Sequence, residues 1–436
     1  MKRILFVCHG YFPEHSPTGR CVKKVADKCK ESGYEVVCLS GSFSRCSRFE
    51  DELVDDVTVY RVKYPLHKRN VFCGRESAKS SLSYLLKILF GLYKRLHDFF
   101  IIPVWPFKYF SLCVRFYSKI NMLHKKYNFD LIVGVHHPIE AIVAVYFFKK
   151  RHSEVKVLMY YLDALAGGAK IVYNENKFKH IPFKRFFFYA CACWENAMSK
   201  CADLVIAMES VRKVHESQLF SDTYRKKIRY LSIPLIEECN NEVENDYSCI
   251  SESLPKEKLV ILFCGDLYVL RDPSFIINIA ENLNRDDLVW VFIGNYYKDH
   301  KIKLLKAKAN HPERYVLYDR MQHSRLLYFL ERADYFLNIE DGVLGMLPSK
   351  IFEYMCFGKP IITTSKTEDS PTIKILEEYG NTIILNENAD SVTEKERLDR
   401  FVNKSNKRTV CFEDIKKTLY KSTPEAFVDI IKNILN

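Results

Sequence analysis

The sequence predicts an α/β protein built from two doubly wound parallel sheets, and three features predict it. Apolar, β-rich runs alternate with stretches of helical periodicity in two separate series, one opening at residues 3–8 and the other at 259–264. Residues 234–258 between the two series are rich in Glu, Asn and Ser with little periodicity, as a linker is. A chain of 436 residues is long for one core and comfortable for two domains of roughly 200 residues each. The expected division is a first domain at 1–235, a linker at 236–258, a second domain at 259–411, and closing helices at 412–436.

In the first series, residues 3–8 form a strand that runs into the Gly10-Tyr11-Phe12-Pro13 loop. Val22, Val25, Ala26 and Cys29 then recur at helical spacing until Gly33 stops them, and 35–40 is the next strand. Strand, loop, helix, strand is the opening of a right-handed parallel unit, whose ligands sit at the carboxyl ends of strands. The loop at 9–20 is therefore placed at a site. Gly10 and Gly19 are nine apart, so the dinucleotide fingerprint is absent and no nicotinamide cofactor is implied. Residues 57–62, 130–135, 155–160, 202–207 and 228–233 read as further strands. The turn His136-His137-Pro138 follows one of them and Tyr161-Leu162-Asp163 another.

The second series repeats the pattern with strands at 259–264, 289–294, 315–318, 335–339, 361–364 and 382–385. Gly265 and Asp266 turn at the end of its first strand, and Arg271-Asp272-Pro273 opens the helix that carries Ile276, Ile277 and Ala280. An arginine in this position can fork onto a diphosphate; the alternative is a surface arginine paired with Asp272.

The most informative stretch is Gly345 to Pro360. Pro348 and Ser349 start a short helix, Gly358 stops it, Pro360 forbids continuation, and a β-branched strand follows. The free N–H groups and positive dipole end near Ser349, joined by Lys350, make a phosphate site. Glu353, one turn on, is within reach of the same ligand and suits a ribose, whose paired hydroxyls a carboxylate accepts. The alternative is that Ser349 only caps and that Lys350 and Glu353 form a solvated pair.

Composition narrows the rest. The fifteen cysteines contain no Cys-x-x-Cys pair and no apolar leader precedes them, which predicts free thiols in a reducing cytosol. Cys191, Cys193 and Cys201 fit no common zinc spacing, so no metal site is expected. The net charge of +12 is concentrated at residues 79–126, where Lys and Arg alternate with aromatic and aliphatic residues. Such a segment suits an anionic membrane surface, or else its aromatics are core and its cations solvated. No recognition motif accompanies the charge, so nucleic acid is not an expected partner.

The run Pro348-Ser349-Lys350-Ile351-Phe352-Glu353-Tyr354-Met355, with Gly358-Lys359-Pro360-Ile361-Ile362, resembles the donor-binding signature of retaining glycosyltransferase family 4, enzymes of the GT-B fold. The resemblance implies two Rossmann-like domains facing across a cleft, with the helices at 412–436 crossing back to the first domain. It implies transfer of a sugar from a nucleotide-diphosphate sugar, with retention, to a saccharide or lipid-linked saccharide, as in bacterial surface polysaccharide assembly. It implies donor contacts from Gly19, Gly265, Asp266, Arg271, Met321, Gln322, Pro348, Ser349, Lys350 and Glu353. On the acceptor and sugar side it implies Thr18, Arg20, His136, His137 and Asp163, with His137 the first choice for the transferred sugar. Catalysis would rest on His137, Arg271, Lys350 and Glu353. Protein cations would stand in for a metal, no cofactor being needed, since no Asp-x-Asp occurs. The expected location is cytoplasmic, peripheral on the inner face of the membrane. Gly345 stands where many members have a first glutamate, and the usual Gly-Gly pair at 18–20 is reduced to Gly19. These departures keep open a catalytically silent nucleotide-binding partner; the enzymatic alternative is a non-hydrolysing sugar-nucleotide epimerase, which shares the fold but needs acidic groups beside the sugar, of which Gly345 removes one.

Overall fold

A computed structural model describes residues 1–11, 16–42, 52–54, 56–64, 110–136, 138–162, 165–166, 184–216, 220–238, 254–255, 257–283, 285–321, 323–342, 347–368, 370–405 and 409–436. They form two compact units, Met1–Pro234 with Pro424–Asn436, and Leu235–Thr423.

The first unit holds an eight-stranded sheet in the order β3-β4-β2-β1-β5-β6-β7-β8. Its strands are β1 (Arg3–His9), β2 (Glu35–Ser42), β3 (Glu52–Val54), β4 (Val57–Lys63), β5 (Leu131–Val135), β6 (Lys156–Tyr161), β7 (Leu204–Met208) and β8 (Ile228–Leu231). All neighbours pair parallel except β3 with β4. The antiparallel β3 is absent from the sequence expectation because three residues are too few to show alternation. The central strands are apolar along their whole length, Ile4 to Cys8 being fully buried, as a sheet covered on both faces requires.

Helices α1 (Pro17–Glu31), α2 (Phe110–Tyr127), α3 (Ile139–Arg151), α4 (Lys184–Cys201), α5 (Arg212–His215) and α6 (Asp222–Lys227) belong to the same unit. The first of these starts where Ser16 accepts the Gly19 N–H at 2.9 Å, with Pro17 supplying a preset φ. It buries Val22, Val25, Ala26 and Cys29, the face expected from spacing.

The second unit holds a six-stranded, all-parallel sheet in the order β11-β10-β9-β12-β13-β14. Its strands are β9 (Leu259–Cys264), β10 (Leu288–Ile293), β11 (Tyr315–Tyr318), β12 (Tyr335–Ile339), β13 (Ile361–Ser365) and β14 (Thr382–Asn386). Its helices are α7 (Ser274–Asn282), α8 (Lys298–Asn310), α9 (His323–Arg332), α10 (Ser349–Cys356), α11 (Pro371–Tyr379), α12 (Ser391–Ser405) and α13 (Phe412–Thr418).

Both sheets reverse their order of addition once. In the first, the chain lays β2 and β4 on one side of β1 and then crosses to place β5 on the other. In the second, β10 and β11 lie on one side of β9 and β12 on the other. The turns leaving β1 and β5, and those leaving β9 and β12, are therefore where each sheet opens a crevice.

The tail expected at 412–436 divides at Thr423. Helix α13 stays with the second unit, whereas α14 (Pro424–Leu435) belongs to the first. Its Ala426, Phe427, Val428, Ile431 and Leu435 complete the first unit's core, Phe427 meeting Tyr160 edge-on at 4.8 Å. Lys28 of α1 pairs with Glu425 at 3.3 Å.

Two predictions follow from these contacts. Replacing the fully buried Phe427 by alanine removes an aromatic ring from a closed core and costs the first unit about 3–5 kcal/mol in denaturant unfolding. The second concerns Asp272, which accepts the Ser274 N–H at 2.9 Å and pairs with Lys303 at 2.8 Å. Burial raises its pKa, but Lys303 and Ser274 outweigh burial and bring it down to about 2. A carboxyl with a folded pKa below its unfolded value of about 3.9 stabilises the fold above that pH and loses the contribution as pH falls toward 2. Because about a third of the side chain (35%) is open to solvent, which screens the pair, Asp272→Asn costs about 1 kcal/mol at pH 7. Unfolding of the two proteins followed from pH 7 down to about pH 3 shows the gap narrowing below about pH 4.

Candidate active site

The second unit gathers its candidate residues around one strand end. Tyr354 of α10 is fully buried, and its hydroxyl meets both backbone groups of Cys264, the last residue of β9. The Cys264 N–H donates to it at 2.8 Å, and it donates to the Cys264 carbonyl at 3.2 Å. The ring stacks on Phe336 of β12, with centroids 4.4 Å apart and planes 2° from parallel. Burial pushes the phenol far above its usual pKa, so it remains a neutral donor. This contact fixes α10 against the junction of β9 and β12.

Arg271 approaches the same junction from the loop after β9. A side chain at Gly265 would stand 3.9 Å from Arg271 Nη1, and Tyr354 lies within the fields of both Glu353 and Arg271. Gly265, Arg271 and the first two turns of α10 are thus brought together. Arg271 does not pair with Asp272, the partner the sequence offered as an alternative, because Asp272 is taken by Lys303 and the start of α7. It faces Asp341 instead, with Nη2 3.9 Å from Oδ2, and its Cζ lies 5.1 Å from the Tyr268 ring centre.

Pro348 is the N-cap of α10, in extended conformation and with no side-chain cap, so Ser349 is the first helical residue and not the cap. Lys350 donates to Glu353 Oε2 at 2.6 Å, with only 25% and 10% of the two side chains exposed. The pair is therefore real but half-buried, not solvated, and its charges are poorly screened. Gly358 stops the helix at φ +67, and a side chain there would collide with the Val410 carbonyl at 2.3 Å.

Of the remaining donor candidates, the exposed Asp266 accepts from Asn295 Nδ2 at 2.9 Å and so ties the turn after β9 to that after β10. These two turns touch backbone to backbone, since a Cβ at Gly294 would lie 1.8 Å from the Gly265 carbonyl oxygen. Met321 is half-buried beyond β11. Gln322 and Gly345 lie outside the described residues.

In the first unit, the half-buried Thr18 and Arg20 flank the buried Gly19 in the first turn of α1. A Cβ at Gly19 would stand 2.0 Å from the Gly10 carbonyl oxygen, so close packing of α1 on the turn after β1 already requires glycine there. His136 is buried at the end of β5. Its N–H donates to the Tyr160 carbonyl at 2.8 Å, and its ring lies 5.8 Å from that of Tyr161. His137 and Asp163 lie outside the described residues.

Two groups of residues escaped the sequence reading. Glu340 and Asp341 leave β12 at the second sheet's switch point. The buried Glu340 accepts from Ser365 at 2.5 Å and Ser370 at 2.6 Å, which ties this turn to β13 and α11. Two acids ending a core strand were the available signal. In the first unit, Glu195 of α4 is fully buried and accepts from His215 Nε2 at 2.8 Å, from Tyr224 at 3.2 Å and from the Ala166 N–H at 3.0 Å. Burial raises its pKa, yet the His215 hydrogen bond and field, the Ala166 N–H and nearby His136 bring it below the usual carboxylate value. It anchors the backbone beyond β6, and nothing local in the sequence marks it as buried.

Among the described residues, one group has metal-ligand spacing: His124, His152 and Glu154, with ligand atoms within 4.8 Å. His124 Nδ1 accepts the Phe129 N–H at 3.2 Å, which leaves its proton on Nε2. A metal-bound imidazole instead donates from its second nitrogen. The group also sits at the amino ends of β5 and β6, away from the crevice side.

Residues 250–418 match the family described as glycosyl transferases group 1. No curated protein is significantly similar in sequence. Solved structures are similar over the whole chain. A sucrose-phosphate synthase from Thermosynechococcus elongatus has a TM-score of 0.63 at 12% identity, covering 100% of this chain and 98% of that one. HepE from Anabaena, in complex with UDP and glucose, has a TM-score of 0.58 at 11% identity, covering 100% and 99%. WaaG, a glycosyltransferase involved in lipopolysaccharide biosynthesis, has a TM-score of 0.54 at 14% identity, covering 98% and 99%. The chain therefore has the GT-B fold and, by the match of residues 250–418 to the glycosyl transferases group 1 model, is a glycosyltransferase.

Proposed function

We propose that this glycosyltransferase moves a sugar from a nucleotide-diphosphate sugar, held by the second unit, to a saccharide or lipid-linked saccharide recognised by the first, with retention of configuration. The observation that carries the reading is the convergence of Arg271 and of α10, through Tyr354, on the carboxyl end of β9. The chemistry is departure of a diphosphate from the anomeric carbon, so a catalyst must stabilise charge on the leaving group. Arg271, Lys350 and the N–H groups that open α10 supply that charge with no metal ion needed.

In the ligand-free unit Lys350 is held by Glu353. A diphosphate carries more charge than one carboxylate and so draws the lysine away, freeing Glu353 to accept ribose hydroxyls. Pro348 and Ser349 open the helix beneath the phosphates, and Gly265, Asp266 and Met321 border the nucleotide; Gly19 and Gln322 are assigned to the donor by the resemblance alone. The acceptor and sugar candidates are Thr18, Arg20, His136, His137 and Asp163, with His137 the first choice for the transferred sugar. The departing phosphate helps deprotonate the acceptor on the face it leaves. HepE bound to UDP and glucose supports a nucleotide sugar as donor, and WaaG supports a role in surface polysaccharide assembly.

Location on the inner face of the cytoplasmic membrane belongs to the same proposal. No described helix is long and apolar enough to cross a membrane. Helix α2 instead exposes Phe110, Val114 and Met122 beside Arg115, Lys125 and Lys126, a pairing suited to an anionic lipid surface.

A thermal-shift panel of nucleoside diphosphates and nucleotide sugars identifies the donor, and release of its diphosphate then reports turnover. Lys350→Ala and Arg271→Ala are each expected to lower kcat by roughly 10² to 10³ while circular dichroism stays unchanged. Unaltered turnover in both variants refutes the mechanism. Diphosphate binding without turnover on any acceptor favours a silent binding partner. Sedimentation with phosphatidylglycerol vesicles, but not with phosphatidylcholine, is expected of the full chain. Its absence at low salt removes the membrane assignment.

A further inference from the structure

The two cations at the second switch point each face a carboxylate, but the two pairs differ in kind. Lys350 and Glu353 touch at 2.6 Å, a charge-assisted hydrogen bond that a ligand can exchange. Arg271 and Asp341 stand at 3.9 Å, beyond hydrogen-bond reach, so Asp341 exerts a field on the guanidinium without anchoring it. Arg271 is oriented by Tyr268, whose ring centre lies 5.1 Å from Cζ, and the Arg271 backbone N–H donates to the Tyr268 carbonyl at 2.9 Å, which fixes the turn that carries both side chains. The Tyr268 hydroxyl in turn donates to Asp341 Oδ2. The carboxylate is thus pinned beside the guanidinium by a third residue. Arg271 Nε is buried and has no hydrogen-bond partner among the described residues, so the arginine keeps unspent donor capacity.

We propose that Asp341 is a fixed counter-charge that weakens binding of a diphosphate at Arg271 and thereby speeds release of the nucleoside diphosphate product. This rests on the reading of Arg271 and Lys350 as the cations of the diphosphate site. Two effects of Asp341 oppose each other. A carboxylate can help binding by holding the arginine in place, but at 3.9 Å without a hydrogen bond, and with Tyr268 already orienting the group, that gain is small. It hinders binding by repelling each phosphate oxygen that approaches Arg271. With 10% of Asp341 and 17% of Arg271 exposed, water screens this repulsion poorly. Repulsion therefore wins. Product release limits turnover in many enzymes, so a built-in repulsion against the spent nucleotide raises turnover at the cost of affinity.

The test is Asp341→Asn in the full chain, which removes the charge and keeps the shape and an oxygen for Tyr268. Calorimetry with UDP and with GDP is expected to show about five- to ten-fold tighter binding of whichever diphosphate the unchanged protein binds. Stopped-flow displacement is expected to place the gain in a slower off-rate. A merely structural residue gives the opposite direction when altered, so equal or weaker binding by the variant overturns the proposal. Should the asparagine variant fail to fold, Asp341→Ser carries the same expectation and the same refutation. If the unchanged protein binds no nucleoside diphosphate, the reading of Arg271 and Lys350 falls first, and this proposal with it.

Discussion

One hydroxyl group governs the arrangement of the second unit's site. Tyr354 contacts both the N–H and the carbonyl of Cys264, the two polar groups that a parallel strand leaves exposed where it ends. An unpaired backbone group in that buried position would cost stability comparable to a lost hydrogen bond. Satisfying both from one side chain settles where α10 sits, because Tyr354 is also clamped face to face on Phe336. The position of Lys350 and Glu353 follows from that of Tyr354 through helix geometry, one turn apart on the same short element. Arg271 comes in beside Gly265, where a Cβ would lie 3.9 Å from the guanidinium, an ordinary contact distance.

The electrostatics of the site are compensated before any ligand arrives. Half-buried cations are costly when unpaired, and this fold pairs each with an acid from a different source: Glu353 from the same helix, Asp341 from the end of the neighbouring strand. Asp272 serves another purpose, holding the start of α7 and Lys303. Three acids near two cations thus divide into an exchangeable partner, a pinned neighbour and a structural cap. Distance and hydrogen bonding, not charge alone, separate their roles.

Much of the architecture is legible in the sequence because parallel strands and their helices obey short-range rules. Residues 259–264 are a continuous apolar run and 361–364 a β-branched one, and α10 starts one residue after Pro348 and ends two before Gly358. What was not legible depends on partners brought together by the fold. Glu195 sits on a helix whose pattern gives no hint that its carboxylate is enclosed by His215, Tyr224 and the Ala166 N–H, residues 20 to 29 positions away. The choice of Asp341 over Asp272 as the neighbour of Arg271 is a matter of strand order, since β12 lies beside β9. Gly19 carries a second lesson. A glycine that resembles a ligand-contact position is demanded here by a neighbouring carbonyl, so its presence alone says nothing about a ligand.

The membership of α14 in the first unit has a consequence for biosynthesis. Phe427 and Ile431 fill a core whose strands are all made before residue 232, and the whole of the second unit is translated in between. During synthesis at about 5–20 residues per second, the second unit can close around its own sheet while the first still waits for its final helix. The order of completion is therefore the reverse of the order of emergence. Until the ribosome releases the last turn, the groove meant for α14 is an open apolar surface that chaperones or aggregation partners can occupy.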